Sequence, residues 1–287
     1  MTKNMKRILL LLALFAVLTP SMQARTFRIM TFNIRLATSS DGINAWDYRK
    51  ADVVQYLNAM KPDVFGMQEV KSGQLKYLAD TLKAYAYAGV GRDDGKDGGE
   101  YGPVFYRKDR YQLMGSGTFW LSETPEEPSF GWNAACRRIC TWTLLQDKKS
   151  GNSFIFANTH LDHVSEQART NGAELIKKRL SRMANNLPVL ITGDFNCTDQ
   201  SQAYQNMITR IFPMNDAYKV AKKASGMHAS YHAWGTIPDD KGEKIDFIFI
   251  TPGIKVKRAH VWNSLIGEGR YLSDHHPHYA DLDAKTL

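Results

Sequence analysis

The stretch Pro188-Val189-Leu190-Ile191-Thr192-Gly193-Asp194-Phe195-Asn196 is a run of apolar β-formers that ends in an acid and an amide. Val189–Phe195 has the composition of a strand from the middle of a sheet. Successive strand side chains point to opposite faces, so Asp194 and Asn196 would share one face if the strand continued. The alternative is an Asx turn, in which both side chains only bond their own backbone. The ends of the other predicted strands help to decide between a shared face and an Asx turn.

Ten more strand-like runs accompany this one. They are Thr26–Ile34, Val64–Val70, Ala86–Gly91, Val104–Arg107, Tyr111–Leu121, Ile139–Asp147, Ser153–Leu161, Ile245–Thr251, Val256–Val261 and Pro277–Leu282. Apolar residues at helical spacing predict helices over Val53–Met60, Gln74–Lys83 and Ala168–Met183. Because several strands between Ala86 and Leu161 follow one another without a helix, we expect antiparallel pairing and a mixed α/β fold. No linker or repeat divides the chain, and 221–244 is the expected long surface loop.

The first 24 residues have the features of a secretory signal peptide. Three cations, Lys3, Lys6 and Arg7, precede the apolar run Ile8–Leu18, and a small residue, Ala24, marks the expected cleavage site. The run is too short to span a bilayer. A retained anchor is the alternative, since Met22 is not small. We therefore expect a secreted or periplasmic protein, without stable membrane insertion after cleavage, whose single domain is residues 25–287.

Charge and cysteine content limit the functional classes. Loss of the leader lowers the formal charge from +8 to +5, which suits an anionic substrate without requiring one. No basic run with interleaved aromatic residues predicts a nucleic-acid groove.

Cys136 and Cys140 lie about 13 Å apart along one predicted strand, too far for a disulfide. All three cysteines, including Cys197, are expected to be unpaired, and they lack the spacing of a zinc site.

The pattern of Asp194 and Asn196 recurs along the chain. Polar groups follow or directly precede apolar strands at Asn33, Glu69, His160, Asp194, Asn196, Asp246, Asp274 and His275. Each alone is ordinary, because strand-end acids are usually caps. Four carboxylates gathered in one place repel one another unless a cation neutralises them, and oxygen ligands suit Mg²⁺, Mn²⁺ or Ca²⁺ better than zinc. With imidazoles added, the group favours hydrolysis of a phosphate ester.

Six motifs in order resemble the signature set of the endonuclease/exonuclease/phosphatase superfamily, which comprises deoxyribonuclease-like, metal-dependent phosphoesterases. They are Thr31-Phe32-Asn33-Ile34-Arg35, Gln68-Glu69-Val70, Asn158-Thr159-His160-Leu161-Asp162, Gly193-Asp194-Phe195-Asn196, Ile245-Asp246-Phe247-Ile248 and Ser273-Asp274-His275. The resemblance covers nearly the whole mature chain. It implies a four-layered α/β sandwich, in which two mixed, mostly antiparallel sheets pack face to face between helices.

The resemblance also implies roles for individual residues. Glu69 would be the principal Mg²⁺ ligand, helped by Asn33, Asp274 and Asp194. Asp194 would also align or deprotonate the attacking water, and His160 and His275 would contact the phosphate. Asn196 would donate to the phosphate or support a second metal position. Asp246 would orient one of the histidines. Because Glu100 precedes Arg107 by the family's seven-residue spacing, we expect Glu100 to orient His275; its alternative is an exposed loop acid.

A second group of residues is assigned in the same way. Arg138 resembles the phosphate-binding arginine of the family, although Arg137 is the alternative, since neighbouring strand residues face opposite ways. His163, His276 and His278 are expected to be bystanders. Trp120, Trp132 and Trp234 are candidates for a substrate rim, with half-buried packing as the simpler interpretation.

The sequence thus predicts a secreted, divalent-metal-dependent phosphoesterase. It would cleave phosphodiester bonds by attack of an activated water on phosphorus, and an extracellular nuclease is one such enzyme. The alternatives are a phosphomonoesterase, a lipid or sugar-phosphate phosphodiesterase and, from another class, a non-catalytic phosphate-binding module. The expected partner is a phosphate-ester substrate, nucleic acid included, and the protein is expected to be a monomer.

Overall fold

The computed structural model describes residues 26–209 and 211–287. The predicted signal peptide, residues 1–24, lies outside the described residues. Within those two ranges, no helix has both the length and the apolar composition needed to cross a bilayer.

Two large sheets form the centre of the structure. The first contains, in spatial order, β12 (Ala224–Gly226), β14 (Val256–Val261), β17 (His278–Asp283), β1 (Thr26–Asn33), β2 (Val64–Gln68), β6 (Val104–Arg107) and β4 (Tyr85–Ala88). The second contains β11 (Asn215–Asp216), β13 (Asp246–Ile250), β10 (Val189–Asp194), β9 (Ser153–His160), β8 (Ile139–Asp147) and β7 (Tyr111–Trp120).

Both large sheets are mixed, as predicted. The pairs β1–β2, β12–β14 and β9–β10 are parallel. The other neighbouring pairs described in these two sheets are antiparallel. Two small ribbons complete the strands: β3 (Val70–Lys71) pairs with β5 (Glu100–Tyr101), and β15 (Leu265–Gly267) pairs with β16 (Arg270–Tyr271).

Four of the described α-helices cover the outer faces of the sheets, and a fifth, short helix, Ala217–Val220, borders the apolar cluster between the sheets. They are α1 (Trp46–Met60), α2 (Ser72–Thr81), α3 (Glu166–Ala184), α4 (Gln202–Ile208) and α5 (Ala217–Val220), and short 3₁₀ segments occupy Ser39–Asn44, Ala233–Gly235 and Ala284–Thr286. α1 and α2 share a hydrophobic cluster with the first sheet, and α3 and α4 share another with the second. A third cluster lies between the sheets. The predicted four-layered sandwich is therefore confirmed.

Burial on both faces explains why the central strands read as continuous apolar runs. In β1, Phe32 packs towards the helices while Ile29 packs between the sheets. In β10, Ile191 belongs to the helix-side cluster and Leu190 to the cluster between the sheets. The middle residues of both strands thus contact an apolar layer on either face, so these strands need no continuous polar face.

Several boundaries differ from the sequence expectation. The predicted strand Val64–Val70 is interrupted at Glu69, whose φ of 61° takes the chain out of the extended conformation. The segment 221–244 is not simply a surface loop, because β12 pairs with β14 and because Ser230 and His232 are buried. The three cysteines are free, as predicted.

Candidate active site

The space between the sheets ends in a group of polar side chains. His160 ends β9, Asp194 ends β10 and Asp246 begins β13. In the sheet register, Asp194 lies opposite His160 on one side and opposite Asp246 on the other. Asn33, at the end of β1 in the first sheet, reaches across with its Nδ2 atom 3.0 Å from Oδ2 of Asp194. Both sheets therefore contribute to one cluster.

His275 and Asp246 form a buried pair within this cluster. Nδ1 of His275 lies 2.8 Å from Oδ2 of Asp246, and Nε2 lies 3.7 Å from Oδ2 of Asp194. Burial alone would lower the pKa of His275, but the neighbouring carboxylates, Asp246 first among them, raise it to about 10. The imidazole is therefore protonated at neutral pH and carries protons on both ring nitrogens.

Asp194 is poised to exchange a proton near neutral pH. Its Oδ1 accepts a hydrogen bond from the backbone N–H of Asn196, at 2.9 Å, and its Oδ2 accepts from Asn33. Burial and the negative charge of Asp246 raise the pKa of Asp194 to about 7, against the opposing effect of His275. A carboxylate with such a pKa is suited to act as a general base.

Glu69 and Asp274 form a second acidic pair beside the first group. The carboxylate of Glu69 accepts from Asn33 Nδ2 at 2.9 Å and from the backbone N–H of Leu36 at 3.1 Å. Burial acts to raise the pKa of Glu69, but the hydrogen bond from Asn33 and the charge of His275 outweigh it, and the pKa falls. Burial raises the pKa of Asp274, and Glu69 adds to this effect. The guanidinium of Arg35 lies 3.9 Å from both acids.

The acidic pair fits a hard divalent cation. Two neighbouring carboxylates, each at most 13% exposed at the side chain, repel each other unless positive charge lies close. Their oxygen donors match the preference of Mg²⁺. Asp194, Asp246 and His275 also bring ligand-type atoms within 4.8 Å of one another.

Asn33 bridges the acids through its nitrogen. Nδ2 donates to both Glu69 and Asp194, whereas Oδ1 accepts from the backbone N–H of Arg35 at 3.0 Å. A side-chain amide binds a hard cation through its oxygen. In this structure Asn33 thus donates to Glu69 and Asp194, and its role as a metal ligand stays a prediction.

His160 and Asn196 lie side by side at the edge of the cleft. Nδ2 of Asn196 is 2.9 Å from Nε2 of His160 and also donates to the carbonyl of Leu161. Asn196 has a φ of 48°, which turns its amide back towards His160. Burial, followed by the charges of Arg138 and Arg92, lowers the pKa of His160 well below its usual value. His160 is therefore neutral, accepting at Nε2 and carrying its proton on Nδ1.

Arg138, not Arg137, lines the cleft. Nε of Arg138 lies 3.3 Å from Oδ2 of Asp162, and Nη2 lies 2.9 Å from Nδ1 of His163. Its buried Nη1 has no hydrogen-bond partner among the described residues. Arg137 lies against Phe130 and Asp93 instead. Because His163 holds Arg138, the expectation that His163 is a bystander was wrong.

The expected contact between Glu100 and His275 is also wrong. Both oxygens of Glu100 accept from the guanidinium of Arg92, at 2.7 and 3.0 Å. Glu100 lies on β5, which pairs with β3, on the His160 side of the cleft. Asp246 holds His275 instead. Burial raises the pKa of Glu100, with partial compensation from Arg92.

The cleft has a volume of about 500 Å³. Sequence reasoning missed several residues that line it, namely Arg35, Arg92, Cys136, His163, Tyr231 and Glu243. Tyr231 and Glu243 come from the segment expected to be a surface loop, and the ring of Tyr231 lies 5.0 Å from that of His275. Among these residues, Arg35 carried a signal, since it is the last residue of the first quoted motif. Trp120 is buried and donates to the carbonyl of Arg92, which agrees with a packing role.

Two mixed sheets packed between helices, with acids and histidines clustered at one end of the space between the sheets, form the arrangement that the motifs predicted. A sequence model described as "Endonuclease/Exonuclease/phosphatase family" matches residues 30–275. The chain belongs to this family, as the motifs indicated.

Solved structures agree in fold over nearly the full domain. An endonuclease/exonuclease/phosphatase from Bacteroides vulgatus is 45% identical, with a TM-score of 0.87, and the match covers 90% of this chain and 98% of that one. A mannosyl-6-phosphatase from Bacteroides thetaiotaomicron VPI-5482 is 34% identical, with a TM-score of 0.83, and the match covers 89% and 99%.

Curated relatives match over part of their length. Nocturnin from Drosophila melanogaster is 25% identical over 285 residues, and Nocturnin from Xenopus laevis is 25% identical over 244 residues. The matches cover 83% and 75% of this chain, but 42% and 59% of those proteins. The chain therefore spans about half the length of these relatives.

Proposed function

We propose that this protein is a secreted, Mg²⁺-dependent phosphoesterase that cleaves its substrate by attack of an activated water on phosphorus. One observation carries the proposal. Asp194, with a pKa raised to about 7, and the protonated His275 lie 3.7 Å apart next to the acidic pair Glu69 and Asp274. A base, an acid and a cation-binding pair within one cleft are what phosphate-ester hydrolysis requires.

The phosphate would be held by donors at the His160 side of the cleft. Arg138 lines this side of the cleft and would offer a charged donor to a phosphate oxygen, with its Nε and Nη2 atoms already fixed by Asp162 and His163. Asn196 and His160 lie beside it as further contacts. A donor held in place before the substrate arrives loses little freedom on binding.

The water would be activated by Asp194. The hydrogen bonds from Asn33 and from the backbone of Asn196 fix the orientation of this carboxylate. After Asp194 accepts a proton from the water, the oxygen of the leaving group needs a proton donor. His275 carries a proton on Nε2 for this step, and Asp246 keeps its ring in place through Nδ1.

The metal would be held by Glu69 and Asp274, with Asp194 as a further ligand. A bound Mg²⁺ would supply positive charge beside the phosphoryl oxygens, where negative charge grows during the attack. Mn²⁺ or Ca²⁺ would suit the same oxygen donors.

The substrate class has two candidates. The sequence favoured a phosphodiester, as in a nuclease. A phosphomonoester of a sugar is the second candidate, because a relative 34% identical over nearly its whole length is a mannosyl-6-phosphatase. The Nocturnin relatives are less similar and much longer than this chain. A non-catalytic phosphate-binding module is disfavoured, since Asp194 and His275 are both in protonation states that suit catalysis.

The decisive experiment follows release of p-nitrophenol by the purified protein from bis-p-nitrophenyl phosphate, a diester, and from p-nitrophenyl phosphate, a monoester. We expect hydrolysis with Mg²⁺, its loss with chelator, and loss in Glu69→Ala and His275→Ala. Glu243→Gln is the matched control, because Glu243 lines the same cleft outside the proposed machinery. The wild type and the variants would also be tested on panels of nucleic acids, phospholipids and sugar phosphates. If all of them were equally inactive, the result would favour the non-catalytic phosphate-binding module.

Secretion has its own test. The proposed leader, residues 1–24, should be missing from the mature protein, so its N-terminal sequence should begin near Arg25. Mature protein that still begins at Met1 would reject cleavage and favour a retained anchor.

A further inference from the structure

A second cavity, of about 870 Å³, adjoins the catalytic cleft. Leu36 lines the cleft, and the next residue in the chain, Ala37, lines the cavity. Because consecutive Cα atoms are about 3.8 Å apart, the two spaces share a rim. A substrate with its phosphate in the cleft could place the rest of its structure in the cavity.

The segment between the two spaces is held firmly. Gln74, which is 1% exposed, accepts from the backbone N–H of Ala37 at 2.9 Å and donates to the carbonyl of Arg35 at 2.9 Å. Arg49, also buried, donates to the carbonyls of Arg35 and Asn44. The cavity is therefore formed in advance of binding, which reduces the entropy lost when a ligand enters.

Arg35 joins the cavity wall to the acidic pair. Its Nε lies 3.2 Å from Asp41, in the 3₁₀ segment whose neighbours line the cavity, and 3.9 Å from Asp274. This ion pair connects Arg35, which lines the cleft, to the 3₁₀ segment, several residues of which line the cavity. It fixes their relative position, as a substrate that bridges both would require.

The lining combines apolar platforms with polar groups. Tyr48 is 66% exposed and Ile43 is 63% exposed, and both line this concavity, where a ligand could cover them. Thr38, Ser39 and Arg270 also line the cavity. An aromatic face beside hydroxyl and charged groups matches a sugar ring, which has apolar C–H faces and hydroxyl edges.

We propose that this cavity is a subsite for the sugar of a sugar-phosphate substrate, with Tyr48 as the platform for the ring. The proposal rests on the phosphoesterase function above and adds the substrate class to it. Arg270 supports the platform, since it donates to the carbonyl of Tyr48 at 3.2 Å and faces Asp52 at 3.7 Å.

The test compares phosphate release from mannose 6-phosphate with release from methyl phosphate, which has no ring. In Tyr48→Ala, KM for the sugar phosphate should rise by about five- to tenfold, the effect of losing one aromatic contact. KM and kcat for methyl phosphate should change less than about twofold. Tyr48→Phe, which keeps the ring, should resemble the wild type.

Tyr87→Ala is the matched control, because Tyr87 is an exposed tyrosine that lines neither space. Equal changes for both phosphates in Tyr48→Ala, or no change for either, would overturn the subsite. A rise in KM confined to adenosine 5′-monophosphate would overturn the sugar assignment in favour of a nucleobase.

A binding measurement separates this proposal from the proposed function. Saturation-transfer NMR with methyl α-mannoside should show transfer to the ring protons in the wild type and much less in Tyr48→Ala, even if the protein hydrolyses no phosphate ester. Absence of transfer in the wild type would reject the subsite. Absence of hydrolysis together with sugar transfer would reject only the proposed function.

Discussion

Nδ1 of His275 lies 2.8 Å from Oδ2 of Asp246, across the junction between the two sheets. His275 precedes β17 of the first sheet, and Asp246 begins β13 of the second. The pair therefore fixes the imidazole and connects the sheets where they meet at the cleft. Both groups are buried, so water competes little with this contact.

The first prediction concerns Asp246→Asn. The amide preserves the shape of the side chain but removes the charge that raises the pKa of His275. The imidazole then loses both its fixed orientation and its proton at neutral pH. We expect kcat for phosphate-ester hydrolysis to fall by about 100- to 10,000-fold.

Asp216→Asn is a suitable control for this change. Asp216 is also a buried acid, it lies on β11 beside β13, and it accepts from the hydroxyl of Tyr204 at 3.0 Å. Its replacement should affect stability more than kcat. Equal loss of kcat in the two variants would show that Asp246 has only a structural role.

The second prediction concerns metal binding. Glu69→Gln removes one charge of the acidic pair while keeping the acceptor for the N–H of Leu36. The dissociation constant for Mn²⁺, measured by calorimetry, should rise at least about tenfold. Glu243→Gln, in the same cleft, should bind Mn²⁺ like the wild type. Unchanged affinity in Glu69→Gln would move the metal away from this pair.

The third prediction concerns Arg49, which is 1% exposed. Its guanidinium lies between Trp46 and Trp234 and donates to the carbonyls of Asn44, Ile34, Leu272 and Arg35. Two of these carbonyls follow Asn33, and that of Leu272 closely precedes Asp274. Lysine cannot reach them all, so Arg49→Lys should lower the free energy of unfolding in urea by roughly 2–4 kcal/mol.

The same variant should also lose activity, because the segments that carry Asn33 and Asp274 are no longer held. Arg28→Lys provides the comparison. Arg28 lies near the opposite end of β1 and bonds Asp281 and the carbonyl of Met60. It should lose stability and keep its kcat. If Arg49→Lys retained full kcat in the folded protein, Arg49 would have no positioning role.

The fold and most of the cluster were predictable from the sequence for one physical reason. Strands buried on both faces must be apolar throughout, so a polar group at the end of such a strand stands out. Asp194, His160 and Asn33 each follow an apolar run of this kind. Their meeting at one edge then follows from strand pairing, since the register sets Asp194 opposite both His160 and Asp246.

Other features depend on partners that sequence patterns do not specify. Glu100 bonds Arg92 because a turn rich in glycine and acids folds back onto the cleft, yet that turn has the composition of a solvent-exposed loop. Arg49 lies on α1 in a pattern that a surface arginine would share. Strands of two or three residues, such as β5 and β12, form only because a neighbouring strand offers hydrogen bonds.

The final prediction concerns pH and His278, which lies on β17 and is fully buried. Burial, with a smaller contribution from Lys244, lowers its pKa to about 3 in the folded protein. An unfolded chain restores the ordinary value of about 6.5. Between these values the unfolded state binds more protons than the folded state, so stability falls as the pH decreases below about 6.5.

His278→Gln removes this proton uptake. Relative to its own value at pH 7.5, the free energy of unfolding in urea at pH 5 should therefore fall by roughly 2 kcal/mol less in the variant than in the wild type. His228→Gln is the control, because His228 is exposed to water in the folded state as well. Parallel pH curves for wild type and His278→Gln would mean that the buried imidazole is already protonated in the folded protein.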